Sequence, residues 1–108
     1  MKIVNLEQGM PTVSEALSML ENELRTCKKQ NRKCLKLIHG YGSSGKGGKI
    51  RVGVRKYLSE QNSIKLYITG ENFTIFDENT RKAFISCPEL RKDEDLDRYN
   101  NGVTFVII

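Results

Sequence analysis

The chain has one histidine, three cysteines and no long apolar run in its 108 residues. Without about 18 consecutive apolar residues there is no candidate transmembrane helix. Met1-Lys2-Ile3-Val4-Asn5 leads straight into polar sequence, so no signal-peptide h-region can be drawn there. Cys27, Cys34 and Cys87 are odd in number, and no two are spaced as C-x-x-C. That spacing argues against a disulfide partner and against a Cys₄ zinc site; reduced thiols in a cytoplasmic protein are expected. The single histidine, His39, has no acid–base partner in its own stretch, so no complete catalytic constellation is visible. No internal repeat or low-complexity segment occurs, and the length fits one domain.

Positive charge is abundant but unevenly spread. The formal net charge is +5. Residues 1–70 and 100–108 carry 13 Lys and Arg against 5 Asp and Glu, whereas residues 71–99 carry 5 against 8. A localised positive field recruits phosphates. The acidic stretch is expected to act as an electrostatic brake on such binding, or to reach a basic protein partner. Its Glu89, Asp93, Glu94, Asp95 and Asp97 read as a solvated helix face.

The pattern along the chain is β-α-β-α-β, the acidic excursion, then β. Ile3 to Leu6 forms a short strand, ended by Gly9 and Pro11. Thr12 and Glu15 make a capping box for a helix with Ala16, Leu17, Leu20 and Leu24 at helical spacing, running to Lys28 or Lys29. Cys34 to Ile38 is a strand. A second helix carries Ile50, Val54, Tyr57 and Leu58 on one face, with Arg51 and Arg55 on another. Ile64 to Thr69 alternates as a half-buried strand. Phe73 to Phe76 suggests one more extended piece, and Asp77 caps a further helical stretch that Pro88 interrupts. Asn100-Asn101-Gly102 is a turn. Val103 to Ile108 is so uniformly apolar that it must be a central, covered strand.

Between the second strand and second helix lies His39-Gly40-Tyr41-Gly42-Ser43-Ser44-Gly45-Lys46-Gly47-Gly48-Lys49, with five of the chain's nine glycines. Glycine lets backbone N–H groups point inward, the helix start adds unpaired donors, and Lys46, Lys49 and Arg51 add full charges. Such a loop can hold a phosphate. Two familiar motifs fail on context. Gly40 to Lys46 reads G-x-x-x-x-G-K, but Gly47 stands where Ser or Thr would hold magnesium, and no later strand ends in a second metal-binding Asp. Gly40 to Gly45 matches G-x-G-x-x-G, but the candidate ribose-binding acid, Glu71, lies about 30 residues on instead of about 20.

Leu37-Ile38-His39-Gly40-Tyr41-Gly42, then Gly47-Gly48-Lys49-Ile50-Arg51 and a helix ending in Val54-Arg55-Lys56-Tyr57-Leu58, resembles the Smr (small MutS-related) domain with its H-G-x-G loop. Thr12 to Leu17 is similar to that family's first helix, and Gly102-Val103-Thr104 to its final strand. The resemblance covers residues 3–70 and 102–108. It implies an α/β fold, a two-layer βαβα-type sandwich with a mixed four- or five-stranded sheet, as one domain over 1–108 with an acidic insertion at 71–101. It also implies nucleic-acid binding; many members cleave DNA or RNA, and some act on messenger RNA at stalled ribosomes.

Members usually carry L-D-x-H-G at the first strand's end, and that acid and histidine are tied to cleavage. Here Asn5 stands where Asp is expected, and Glu7 or Gln8 where His is expected. The reading that follows is a domain that binds nucleic acid, RNA before DNA, with ribosome-associated RNA among its partners, and that is weak or inactive as a nuclease. The expected contacts are Gly40, Tyr41, Gly42, Lys46, Gly47, Gly48, Lys49, Arg51, Arg55 and Lys56, with Lys28, Lys29, Arg32 and Lys33 extending the track and Tyr41 stacking on a base. His39 is the candidate catalytic residue. No cofactor and no resident metal are expected. The alternatives are an active Smr-type endonuclease and a protein-interaction module.

Overall fold

The computed structural model describes residues 1–40 and 47–108. Its strands are β1 (Lys2–Asn5), β2 (Cys34–Ile38), β3 (Leu66–Thr69) and β4 (Val103–Ile107), and its α-helices are α1 (Val13–Lys29), α2 (Gly47–Ser59) and α3 (Glu78–Ser86). The strands form one mixed sheet in the order β1-β2-β4-β3. β1 runs parallel to β2, while β4 runs antiparallel to both β2 and β3. The apolar run of β4 is therefore central, and all five of its residues are buried.

Local chemistry explains the helix starts. The Thr12 hydroxyl accepts from Glu15 N–H at 3.1 Å, and the Glu15 carboxylate accepts from Thr12 N–H at 3.0 Å, which completes the capping box. Lys28 and Lys29 lie in the last turn of α1, against the negative end of its dipole. Asp77 caps α3 by accepting from Thr80 N–H at 2.9 Å.

Alternation along the strands sends side chains to two cores. On one face Val4, Leu35, Leu37 and Val106 pack against Ala16, Leu20, Leu24 and Cys27 of α1 and Ile50, Val54 and Leu58 of α2. Gly53 lets the two helices close up, because a Cβ there would meet Val13 Cγ1 at 2.8 Å. This is the expected βαβα sandwich. The opposite face is also covered: Cys34, Ile68, Val103, Phe105 and Ile107 pack against Phe73, Ala83, Phe84, Cys87 and Leu90. Phe73 stacks on Phe105 with ring centroids 4.1 Å apart. Each such fully buried side chain stabilises the fold by about 1.5–3 kcal/mol. Residues 70–98 are thus a second covering layer of the sheet.

The expected extended piece at Phe73 to Phe76 is not a strand. Gly70–Asn72 form a 3₁₀ turn that drives Phe73 into the second core, so the sheet has four strands among the described residues. The stretch after Pro88 is a 3₁₀ turn, Pro88–Lys92, followed by further turns.

The acidic stretch is a solvated face only in part: Glu89, Glu94 and Asp97 are exposed, whereas Asp93 and Asp95 turn inward. Lys36, in the middle of β2, is only 4% exposed. Its ammonium donates to both carboxylate oxygens of Asp93, at 3.0 and 3.1 Å, and lies 2.6 Å from Asp95 Oδ2. Burial alone would pull the Lys36 pKa down; Asp95 and Asp93 more than offset it and raise it. Burial pushes Asp95 up, but Lys36 and Asn100 outweigh it and hold that carboxyl below its ordinary value. Glu71 is likewise paired, with Arg55. Four of the eight acids in 71–99 therefore face cations from outside the segment: Glu71, Asp93, Asp95 and, through the N-terminal ammonium of Met1, Glu89.

Candidate functional site

The C-terminal ends of β1, β2 and β3, the start of β4 and the N-terminal turn of α2 meet at one end of the sheet. β2 hands over to the glycine-rich loop through His39 and Gly40. Both of their N–H groups donate to the carbonyl of Gly102, each at 3.0 Å. Gly40 has φ +74°, a left-handed conformation that favours glycine. The Glu7 carboxylate lies directly over Gly40, so that a Cβ at Gly40 would collide with it. Asn5 Oδ1 accepts from Glu7 N–H at 3.0 Å, and this tightens the turn leaving β1.

His39 is fully buried, at 0% exposure. Its Nδ1 lies 2.9 Å from the Gly40 carbonyl and its Nε2 lies 2.8 Å from Thr104 Oγ1. A carbonyl only accepts, so Nδ1 carries the proton and Nε2 accepts from the Thr104 hydroxyl. Burial drives the imidazole pKa down to about 4, and the nearby Arg55 and Arg51 add to the depression. The ring is neutral at pH 7. As packed, the ring has no face toward solvent, and its two nitrogens are taken by Gly40 and Thr104.

Arg55 departs from expectation for a related reason. Its guanidinium grips Glu71 through two N–H groups, at 2.7 and 2.9 Å, and donates to Thr104 Oγ1 at 3.2 Å and to the carbonyls of Asn101 and Val103, each at 3.3 Å. Bidentate pairing of this kind fixes the plane of the fork. Burial raises the Glu71 pKa, but the Arg55 hydrogen bonds outweigh it, so the net shift is downward. Most of the guanidinium's N–H groups are thus taken up inside the protein.

The other expected contacts divide three ways. Tyr41, Gly42 and Lys46 lie outside the described residues. Gly47 and Gly48 open α2, Lys49 is exposed and Arg51 is half-buried one residue beyond Ile50. Gly48, Lys49, Arg51, Val52 and Gly53 line an open depression at this helix start. Lys56 is exposed farther along α2. Lys28, Lys29, Arg32 and Lys33 are exposed but precede β2, whereas His39 follows it. A five-residue strand at about 3.3 Å per residue puts them roughly 17 Å away, at the other end of the sheet. They do not extend a track from the loop. Asp93 and Asp95 are bound to Lys36 on the sheet's other face, and only Glu7 reaches Gly40.

Glu71, Thr104 and the Asn100–Gly102 turn were not marked in the sequence as parts of this site. The pairs that reveal them are 16 to 65 residues apart, and no local pattern signals them.

A four-stranded mixed sheet whose second strand leads through His39 and Gly40 toward the start of α2 places this chain in the α/β class of small domains. The sequence model of the Smr domain matches residues 8–73. The chain belongs to the Smr domain family, a family known for nucleic-acid binding and nuclease activity. Its fold is similar to that in the crystal structure of the Smr domain of Thermus thermophilus MutS2, with a TM-score of 0.62 and 21% identity over 99% of this chain and 96% of that one. No curated protein sequence matches the chain. Among the described residues, no helix is long and apolar enough to cross a membrane.

Proposed function

We propose that this domain binds single-stranded nucleic acid, RNA in preference to DNA, at the glycine-rich loop and first turn of α2, with little or no nuclease activity. One observation carries the binding half. Exposed Lys49 and half-buried Arg51 flank the open depression at a helix start, where unpaired backbone donors and the helix dipole already favour a phosphate. Gly48 leaves that approach free, because nothing lies within 4 Å of the place where its Cβ would be. The N–H groups of Gly47 and Gly48 add to the same cradle, Lys56 supplies charge farther along the helix, and Lys46, outside the described residues, is a further proposed contact. Ribosome-associated RNA in a cytoplasmic setting fits this chemistry.

The weak-nuclease half rests on the first strand and on His39. Phosphodiester cleavage at neutral pH needs a positioned group that exchanges a proton, worth roughly 10²–10⁴ in rate. Asn5 cannot ionise, and its amide oxygen already accepts from Glu7 N–H. His39 is buried and neutral. A second reading, an active Smr-type endonuclease, has one observation in its favour: the Glu7 carboxylate lies beside Gly40, where it would serve as the acid or base. The test is fluorescence polarisation with single-stranded RNA and DNA at several salt concentrations, beside a cleavage gel with EDTA and with added magnesium or manganese. Salt-sensitive RNA binding with intact substrate is expected. Robust cleavage that Glu7→Gln abolishes would establish the endonuclease reading. Absence of binding at low salt would overturn both.

A further inference from the structure

A chain of hydrogen bonds runs from Glu71 through Arg55 and Thr104 to His39 and Gly40. Glu71 takes two N–H groups of Arg55 and so sets the plane of the guanidinium. In that plane Arg55 Nε–H donates to Thr104 Oγ1. Arg55 occupies one of the two lone pairs of the Thr104 hydroxyl, whose proton points to His39 Nε2. The opposite ring nitrogen then carries a proton for the Gly40 carbonyl. The same guanidinium reaches the carbonyls of Asn101 and Val103, on either side of Gly102. The Gly102 carbonyl in turn receives the N–H groups of His39 and Gly40. Both the N–H and the carbonyl of Gly40, the last described residue before the loop's central part, are therefore held by groups that Arg55 braces. Glu71 reaches Arg55 because Gly70 closes against Asn100: a Cβ at Gly70 would collide with the Asn100 carbonyl.

From this chain of hydrogen bonds we infer that Glu71, acting through Arg55 and Thr104, is a positioning residue that fixes the His39 tautomer and thereby the Gly40 entry to the binding loop. The inference rests on the nucleic-acid-binding reading given above. It makes the affinity of the loop depend on a side chain that never touches the ligand. It also explains why Arg55 is spent internally.

His39 is the only histidine, so its imidazole ¹⁵N signals need no assignment. The experiment combines those signals with polarisation binding of a single-stranded RNA oligonucleotide, for wild type, Glu71→Ala, Glu71→Gln, Thr104→Val and Thr104→Ser, each checked for folding by thermal melt. Wild type should show the Nδ1–H tautomer. Thr104→Val and Glu71→Ala should give a mixture of tautomers and weaken RNA binding by up to about tenfold, roughly what one hydrogen bond is worth. Thr104→Ser should restore both properties, and Glu71→Gln should be intermediate in both. A folded Glu71→Ala or Glu71→Gln protein with wild-type tautomer and wild-type affinity would overturn the inference. If wild type binds no RNA, the functional reading fails, and the tautomer in the Glu71 variants still decides whether the relay exists.

Discussion

Acidification between pH 6.5 and 5 should weaken this fold through His39 alone. The imidazole has a pKa of about 4 in the folded protein against 6.5 for the free side chain. Between those values the unfolded chain takes up a proton that the native chain refuses. Stability is therefore complete above pH 6.5 and is lost as pH falls toward 4, with a limiting slope of about 1.4 kcal/mol per pH unit. From pH 6.5 to 5 the loss should be on the order of 2 kcal/mol. Glu71 and Asp95, both held below their ordinary carboxylate values, push in the same direction, but their protonation begins lower and leaves this window to the histidine. Burial and the positive charges of Arg55 and Arg51 oppose protonation of the ring, and they outweigh the Gly40 carbonyl, which favours it. The assay is urea unfolding at pH 7.5, 6.5, 5.8 and 5.0, for wild type and for His39→Gln, which cannot titrate. Wild-type stability should fall across the series while that of His39→Gln stays flat. A flat wild-type profile, or the same slope in both proteins, would refute the assignment of a buried neutral imidazole.

Lys36→Ala should lose about 3–5 kcal/mol in the same unfolding assay, because it leaves two buried carboxylates without their cation. The triple change Lys36→Met, Asp93→Asn, Asp95→Asn should recover much of that loss, and equal losses in the two proteins would mean the charges are solvated. Replacing Lys49 and Arg51 by alanine should flatten the plot of log K for RNA against log salt by about 0.7 for each phosphate no longer neutralised, with the melting temperature nearly unchanged. Arg55→Ala should do the reverse, lowering the melting temperature while sparing the salt slope; a flattened slope in that variant would return Arg55 to the binding surface.

Features governed by residues within a few positions of one another are legible in the sequence. The Thr12–Glu15 capping box, the Asp77 cap, the break at Pro88 and the apolar run of β4 all lie in short windows, and each appears where the sequence placed it. The H-G-x-G stretch at the end of β2 was likewise enough to indicate the Smr family. What a charged side chain faces is another matter. Lys36 reads like Lys49 in one dimension, yet one is buried under carboxylates 57 and 59 positions away and the other is exposed. Arg51 and Arg55 share a helix face by spacing, but only Arg55 hydrogen-bonds Glu71 and Thr104, because β3 ends and β4 starts beside it. The alternation of β2 and β4 fixed which residues share a face of the sheet, but the sequence carried no sign that residues 70–98 would fold over the second face. That was decided by Phe73, Phe84 and Leu90 finding a shared core with Phe105, and a buried cation then required the acids of the same segment to turn inward. Desolvation and pairing energies depend on what lies within a few ångströms in space, so whether a charge recruits a ligand or holds the fold together was settled only by the tertiary structure.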